Sequence, residues 1–254
     1  MRNRYFAAIF CTLLIAPAAQ AVAAQGDDFT ERDEFHQTYQ LSPGATVSVE
    51  NISGPVEIET WDGDQAEVHV VRSARTREAL EHKRVLVEQT SSSLSVHGER
   101  HKGMNGNRAQ VRQEVTLKIP RRVALSVGDV AGRLTVGAID GDLTVSDIAG
   151  RVTIAGVNGS PRISDIAGSL DLAVGELGAS GLDISDIAGR VELRLAGVSG
   201  AEVDISDISG SIDVDVPAVT TVGKVDREHF RGRIGAGGPR ISVTDIAGSV
   251  RVTQ

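Results

Sequence analysis

Cysteine is nearly missing from this chain: its one copy, Cys11, falls within the first 24 residues. Beyond residue 24 there is no thiol to act as a nucleophile, ligate a metal or form a disulfide, so stability has to come from packing alone. Aromatic residues are also scarce. After residue 24 they are Phe29, Phe35, Tyr39, Trp61 and Phe230, and none lies from 62 to 229. Sugar-binding clefts usually offer aromatic planes, and the middle of the chain has none to offer. No GxSxG elbow, phosphate-binding loop, dinucleotide fingerprint or HExxH pair occurs, and the sequence reads as non-enzymatic, with no cofactor. Long apolar runs are missing too. The run from Tyr5 to Ala18 is shorter than the ~20 residues a spanning helix needs.

That run follows Arg2 and Arg4 and precedes Ala19-Gln20-Ala21-Val22-Ala23-Ala24, the layout of a cleavable export signal over residues 1–24. The expectation is a protein with no transmembrane segment, exported to the periplasm, the cell surface or the medium. Phe10 stands where a lipoprotein signal has a small residue, which argues against lipid attachment at Cys11. The formal net charge is −8, and −10 once Arg2 and Arg4 leave with the signal, with 24 Lys and Arg against 34 Asp and Glu. Nucleic acid is not an expected partner of so acidic a chain.

What the chain does have is a repeated phrase. SDIAG stands at 146–150, 164–168 and 185–189, with SDISG at 206–210, TDIAG at 244–248 and an earlier GDVAG at 128–132. Its aspartates, Asp129, Asp147, Asp165, Asp186, Asp207 and Asp245, are spaced by 18, 18, 21, 21 and 38 residues. Between them, pairs such as Leu134 and Val136 or Leu143 and Val145 put two apolar side chains on one face of a short strand. A short fixed period of strand pairs predicts an all-β, parallel β-solenoid, β-helix-like or β-roll-like, with coils of ~18–21 residues. Each aspartate, three residues before a glycine, reads as a turn residue.

Along the chain, residues 25–38 are acidic and without β alternation, and are read as a mobile arm. One solenoid domain is expected over 39–254: a less regular part at 39–123, regular repeats at 124–216, and an irregular segment with a closing coil at 217–254. Ile52, Gly54, Val56 and Ile58 carry the same spacing as the later repeats. SARTREALEHKR at 73–84 loses the alternation and predicts at most one short helix; VLVEQT and LSVHGER predict a hairpin.

The series ATVSVENISGPVEIETWDGD, then a strand ending in proline at LKIP, then repeated glycine and aliphatic units resembles the bacterial putative-adhesin family of β-strand repeats, a domain of unknown function. The resemblance covers about 39–254. It implies an exported β-solenoid of the cell envelope and brings no catalytic residue with it.

Five groups of residues are candidates for chemistry. The row Asp147, Asp165, Asp186 and Asp207 is read as turn capping, with calcium coordination as the alternative; the GGxGxD form of calcium repeats is absent. Arg133, Arg151 and Arg190 follow the turn glycines and are expected to offset that row. His97 with His101, and Glu78 with His82, lack the context of a metal site. Two basic groups interrupt the repeats: His97, Arg100, His101, Lys102, Arg108 and Arg112, and then Lys224, Arg227, His229, Phe230, Arg231 and Arg233. Binding residues tend to sit on loops held by a rigid frame. Arg227, His229, Phe230, Arg231, Arg100 and His101 are therefore the ligand-binding candidates, for envelope polymers or surface proteins. The function expected is an exported scaffold for adhesion or ligand binding. The alternatives are a polysaccharide-active enzyme with carboxylates converging in a cleft, or a calcium-stabilised repeat module.

Overall fold

A computed structural model describes residues 29–100, 111–217, 219–222 and 228–254. The amino-terminal third comprises β1 (Glu31–Gln40), β2 (Thr46–Ile52), β3 (Val56–Trp61), β4 (Gln65–Ala74), helix α1 (Arg77–His82), β5 (Lys83–Gln89), β6 (Ser93–Arg100) and β7 (Val111–Pro120). The middle comprises β8 (Ala124–Val130), β9 (Leu134–Asp140), β10 (Leu143–Gly159), β11 (Pro161–Ile163), β12 (Ile166–Leu177), β13 (Leu182–Ala188) and β14 (Arg190–Arg194). It ends with β15 (Ala201–Ile208), β16 (Ile212–Asp215), β17 (Val219–Thr221), β18 (Phe230–Ile234), β19 (Arg240–Ile246) and β20 (Ser249–Thr253).

The fold is all-β with almost no helix, but it is not the parallel β-solenoid the period predicts. The pairings β10–β11, β11–β13, β13–β12 and β12–β10 close a parallel barrel of four strands, and the other strands pair outside it. A solenoid stacks each repeat on its neighbour in sequence. Here β19 and β20, the last repeat, pair with β13 and β14 on one side and with β15 and β16 on the other, so the chain end is inserted between two earlier repeats. Antiparallel pairs flank the parallel region: β1–β4–β7, the predicted hairpin β5–β6, and β15–β18–β17. The 38-residue gap between Asp207 and Asp245 is where this happens. Its residues supply β16, the β17–β18 pair laid against β15, and the start of β19.

The repeated phrase is a corner. Val145 and Ile148 both point inward although they are three positions apart, an odd step that strict alternation would send to opposite faces. Asp147, between them, has a φ of 56°, a left-handed residue that resets the alternation. Asp129, Asp165, Asp186, Asp207 and Asp245 share that conformation with φ from 52° to 59°, and so does Asn51, at 59°, in NISG. Asp and Asn visit this region more readily than other side-chain-bearing residues, because their short polar side chains bond locally. The glycine that ends each phrase permits the corners to stack. A methyl built on Gly168 would collide with the carbonyl of Gly150, one on Gly189 with that of Gly168, and one on Gly248 with that of Gly189.

One aliphatic core runs from Leu41 to Val252, and Phe230 is the only aromatic among its buried described members. The stretch read as a mobile arm differs from expectation. From Glu31 it forms β1, paired over ten residues with β4. The pattern was hidden because β1 is an exposed edge strand whose residues face water on both sides and so show no apolar alternation. The predicted helix is α1, six residues long. Thr76 caps it, its Oγ1 accepting from the Ala79 N–H at 3.3 Å, and Ala79 and Leu80 pack into a small second core with Ala74 and Val111. Arg72 donates to the carbonyls of Leu80 and Lys83 at 2.9 and 2.8 Å and also pairs with Asp33, tying the helix end to β1 and β4.

Candidate functional site

A charged concavity lies where β19, β15 and β18 run side by side. Glu202 stands opposite Arg240 on β19 and opposite Arg233 on β18; Asp204 stands opposite Arg231. Strand alternation sends all of them to the outer face, because Val203 and Ile205 take the core. The result is a cleft of about 420 Å³ lined by Glu202, Asp204, Val222, Arg231, Arg233 and Arg240. Asp204 is its hub: its Oδ2 accepts from the guanidinium of Arg240 at 2.9 Å and its Oδ1 from Nε of Arg231 at 3.3 Å. Arg233 lies 3.7 Å from Glu202. Three guanidiniums against two carboxylates leave one positive charge in excess. Each planar fork has more N–H groups than its acidic neighbour uses, which is the donor geometry that grips carboxylate or phosphate.

The sequence candidates fall around this cleft unevenly. Arg231 lines it. Phe230, the residue before it, points the other way and is 7% exposed, so it belongs to the core and not to a binding surface. His229 is exposed at the start of the strand. Arg227 and Lys224 lie outside the described residues. Sequence reasoning missed Arg240, Asp204 and Glu202. Nothing local marks them, since they meet only because β19 is inserted beside β15. Of the earlier basic group, Arg100 ends β6, and His101, Lys102 and Arg108 lie outside the described residues. His97 is on β6, which pairs with β2 and β5, and Arg112 is on β7, which pairs with β3 and β4.

The aspartate row is exposed along its whole length. Among the described residues no three His, Cys, Asp or Glu side chains gather as a metal-binding group. Of the arginines expected to balance the row, Arg190 pairs with Glu192 at 3.6 Å. Glu78, beside the second histidine candidate, has its carboxyl held below the usual value of 4.5. Its own backbone N–H is the main cause and the Thr76 hydroxyl the next, so it serves the helix start.

A second cleft, of about 630 Å³, opens between Ser42, Trp61, Asp62, Asp64, Arg121 and Asp140. The indole N–H of Trp61 donates to the Gln65 carbonyl at 2.9 Å, and the Lys118 ammonium sits 4.9 Å from its ring centroid. Asp62 lies 3.3 Å from Nε of Arg121. Asp62 and Asp64 of WDGD and Asp140 at the end of β9 put three carboxylates at its mouth, which is what the enzyme alternative looks for.

No protein-family profile matches this chain, and no curated protein does. Among solved structures it is similar to a putative cell adhesion protein from Clostridium sporogenes, at a TM-score of 0.42 and 12% identity over 87% of this chain and 100% of that one. It is similar to a putative adhesin from Bacteroides fragilis, at 0.34 and 9% over 87% and 97%. A putative lipid binding protein from Parabacteroides distasonis gives 0.24 and 10% over 87% and 97%. At these scores and identities the likeness places the chain in no family. No helix among the described residues is long and apolar enough to cross a membrane.

Proposed function

We propose that this chain is an exported, non-enzymatic protein of the bacterial envelope, whose β framework presents the arginine cleft at β15, β18 and β19 to an anionic ligand. The observation that carries the reading is the convergence of Arg231, Arg233 and Arg240 on one concavity around Asp204. Export is supported by the leader-like layout of residues 1–24. The ligand class is a polymer or surface molecule bearing carboxylates or phosphates, because those groups match the guanidinium forks.

The test is retention of alginate and of linear polyphosphate by the immobilised protein, with an assay for new reducing ends in the alginate run. The wild type is expected to retain at least one of the two probes. Arg231→Ala with Arg240→Ala is expected to release it while the melt stays in place. Retention unchanged in the double variant rejects the cleft. Appearance of reducing ends, lost in Asp62→Asn or Asp140→Asn, replaces the binding reading with the hydrolytic one at the Trp61 cleft.

A further inference from the structure

The outer face of the β1–β4 pair carries two histidines and two glutamates in one block. His36 on β1 stands directly opposite His69 on β4, and their ring centroids are 5.5 Å apart at 60°. Glu34 precedes His36 by two residues and Glu67 precedes His69 by two, so strand alternation places all four side chains on the same face. The contacts are crossed. Nε2 of His69 lies 2.8 Å from Oε1 of Glu34, and Nε2 of His36 lies 3.9 Å from Oε2 of Glu67.

Zinc holds histidine nitrogen and carboxylate oxygen at ~2.0–2.2 Å in a tetrahedron, which puts neighbouring ligand atoms ~3.4 Å apart. The two observed separations bracket that edge length. As placed, no three of the ligand atoms converge on one point. All four side chains are between 38% and 61% exposed, so rotation about their χ angles is open to them. A divalent ion would replace the hydrogen bond between His69 and Glu34 and stand between the looser pair His36 and Glu67. The nearest fixed positive charges are Lys118, 3.8 Å from Glu67, and Arg32, 3.5 Å from Glu34. Each touches the carboxylate oxygen that the histidine does not use.

We propose that His36, His69, Glu34 and Glu67 form a site for a zinc-class divalent cation that clips the edge strand β1 to β4. Two imidazoles with two carboxylates select a borderline first-row ion over magnesium, which prefers all-oxygen shells. The site lies apart from both clefts and from every histidine pair that sequence spacing suggests. Antiparallel register, which brings residues 33 apart in the chain face to face, is what creates it.

The experiment is calorimetric titration of the untagged protein with zinc chloride, with magnesium chloride as control. The variants are His36→Gln, His69→Gln and, elsewhere on the chain, His97→Gln. One saturable equivalent of zinc is expected, weakened at least ~10-fold in either of the first two variants and unaffected in the third. Faster hydrogen exchange across β1 in EDTA than in zinc is the accompanying result. If either glutamine variant lowers the melt in EDTA, Glu34→Gln with Glu67→Gln takes its place. Absence of saturable zinc binding, equal binding of magnesium, or wild-type affinity in these variants overturns the site.

Discussion

Replacing Gly168 by alanine tests the stacking of the corners directly. A methyl on Gly168 would sit 1.8 Å from the carbonyl oxygen of Gly150, whereas real contacts of this kind stop at 3.0 Å. The two corners must therefore part by about 1.2 Å, a quarter of the ~4.8 Å strand spacing. Both partners are backbone in consecutive strands and neither can swing aside. Overpacking of this sort costs ~1–3 kcal/mol where side chains can relax, and the upper end or beyond applies here. For a domain of ~150–250 residues each kcal/mol moves the melting temperature by ~2–4 °C, so a drop of ~6–12 °C is expected. Gly156→Ala is the matched control, because its methyl would meet only the Ala138 methyl at 3.6 Å, an ordinary contact. Restricting the unfolded chain there stabilises by ~0.4–1 kcal/mol, a rise of ~1–4 °C. Thermal melts followed by circular dichroism separate the two variants. Equal melting temperatures for Gly168→Ala and Gly156→Ala would refute the close stacking of the glycine column.

The left-handed corners make a second prediction. Asp165→Asn keeps a residue that tolerates φ of 56° and should melt with the wild type, while Asp165→Val should lose at least ~1–2 kcal/mol, seen as a lower midpoint in urea. Excess calcium after chelation should move neither midpoint; a large calcium-dependent rise that vanishes in Asp165→Asn would restore the calcium row. At the helix, Thr76→Ala removes the cap and should cost ~0.5–2 kcal/mol, read as faster amide exchange in α1. The Glu78 carboxyl is lowered in the folded state by its own N–H and by Thr76. Its contribution is therefore present above its unfolded value of about 4.5 and lost as pH falls through the folded one. In Thr76→Ala its NMR titration midpoint should move up, and an unmoved midpoint would show that the hydroxyl plays no part.

Much of the local structure is legible in the sequence because it rests on neighbours a few residues apart. The apolar pairs, the corner phrase, the short helix at 77–82 and the β5–β6 hairpin all follow from alternation, capping and turn chemistry. Ile52, Gly54, Val56 and Ile58 carry the spacing of the later repeats, but the left-handed corner at Asn51 shows only in the structure. β1 was not, for an edge strand wet on both faces carries no apolar signature.

By itself, then, the sequence determined the all-β class, the aliphatic core, the positions of the repeated aspartate corners and the leader-like start. Tertiary structure alone decided the order in which the pieces stack. The repeats are near-identical, so β13 can accept β19 as readily as β15, and no residue near the phrase marks which neighbour it takes. That choice sets Arg240 beside Asp204. The antiparallel register of β1 on β4 likewise sets His36 against His69. Both charged sites are products of long-range pairing, whose partners are chosen by packing and hydrogen bonding across the whole sheet and leave no local pattern to read.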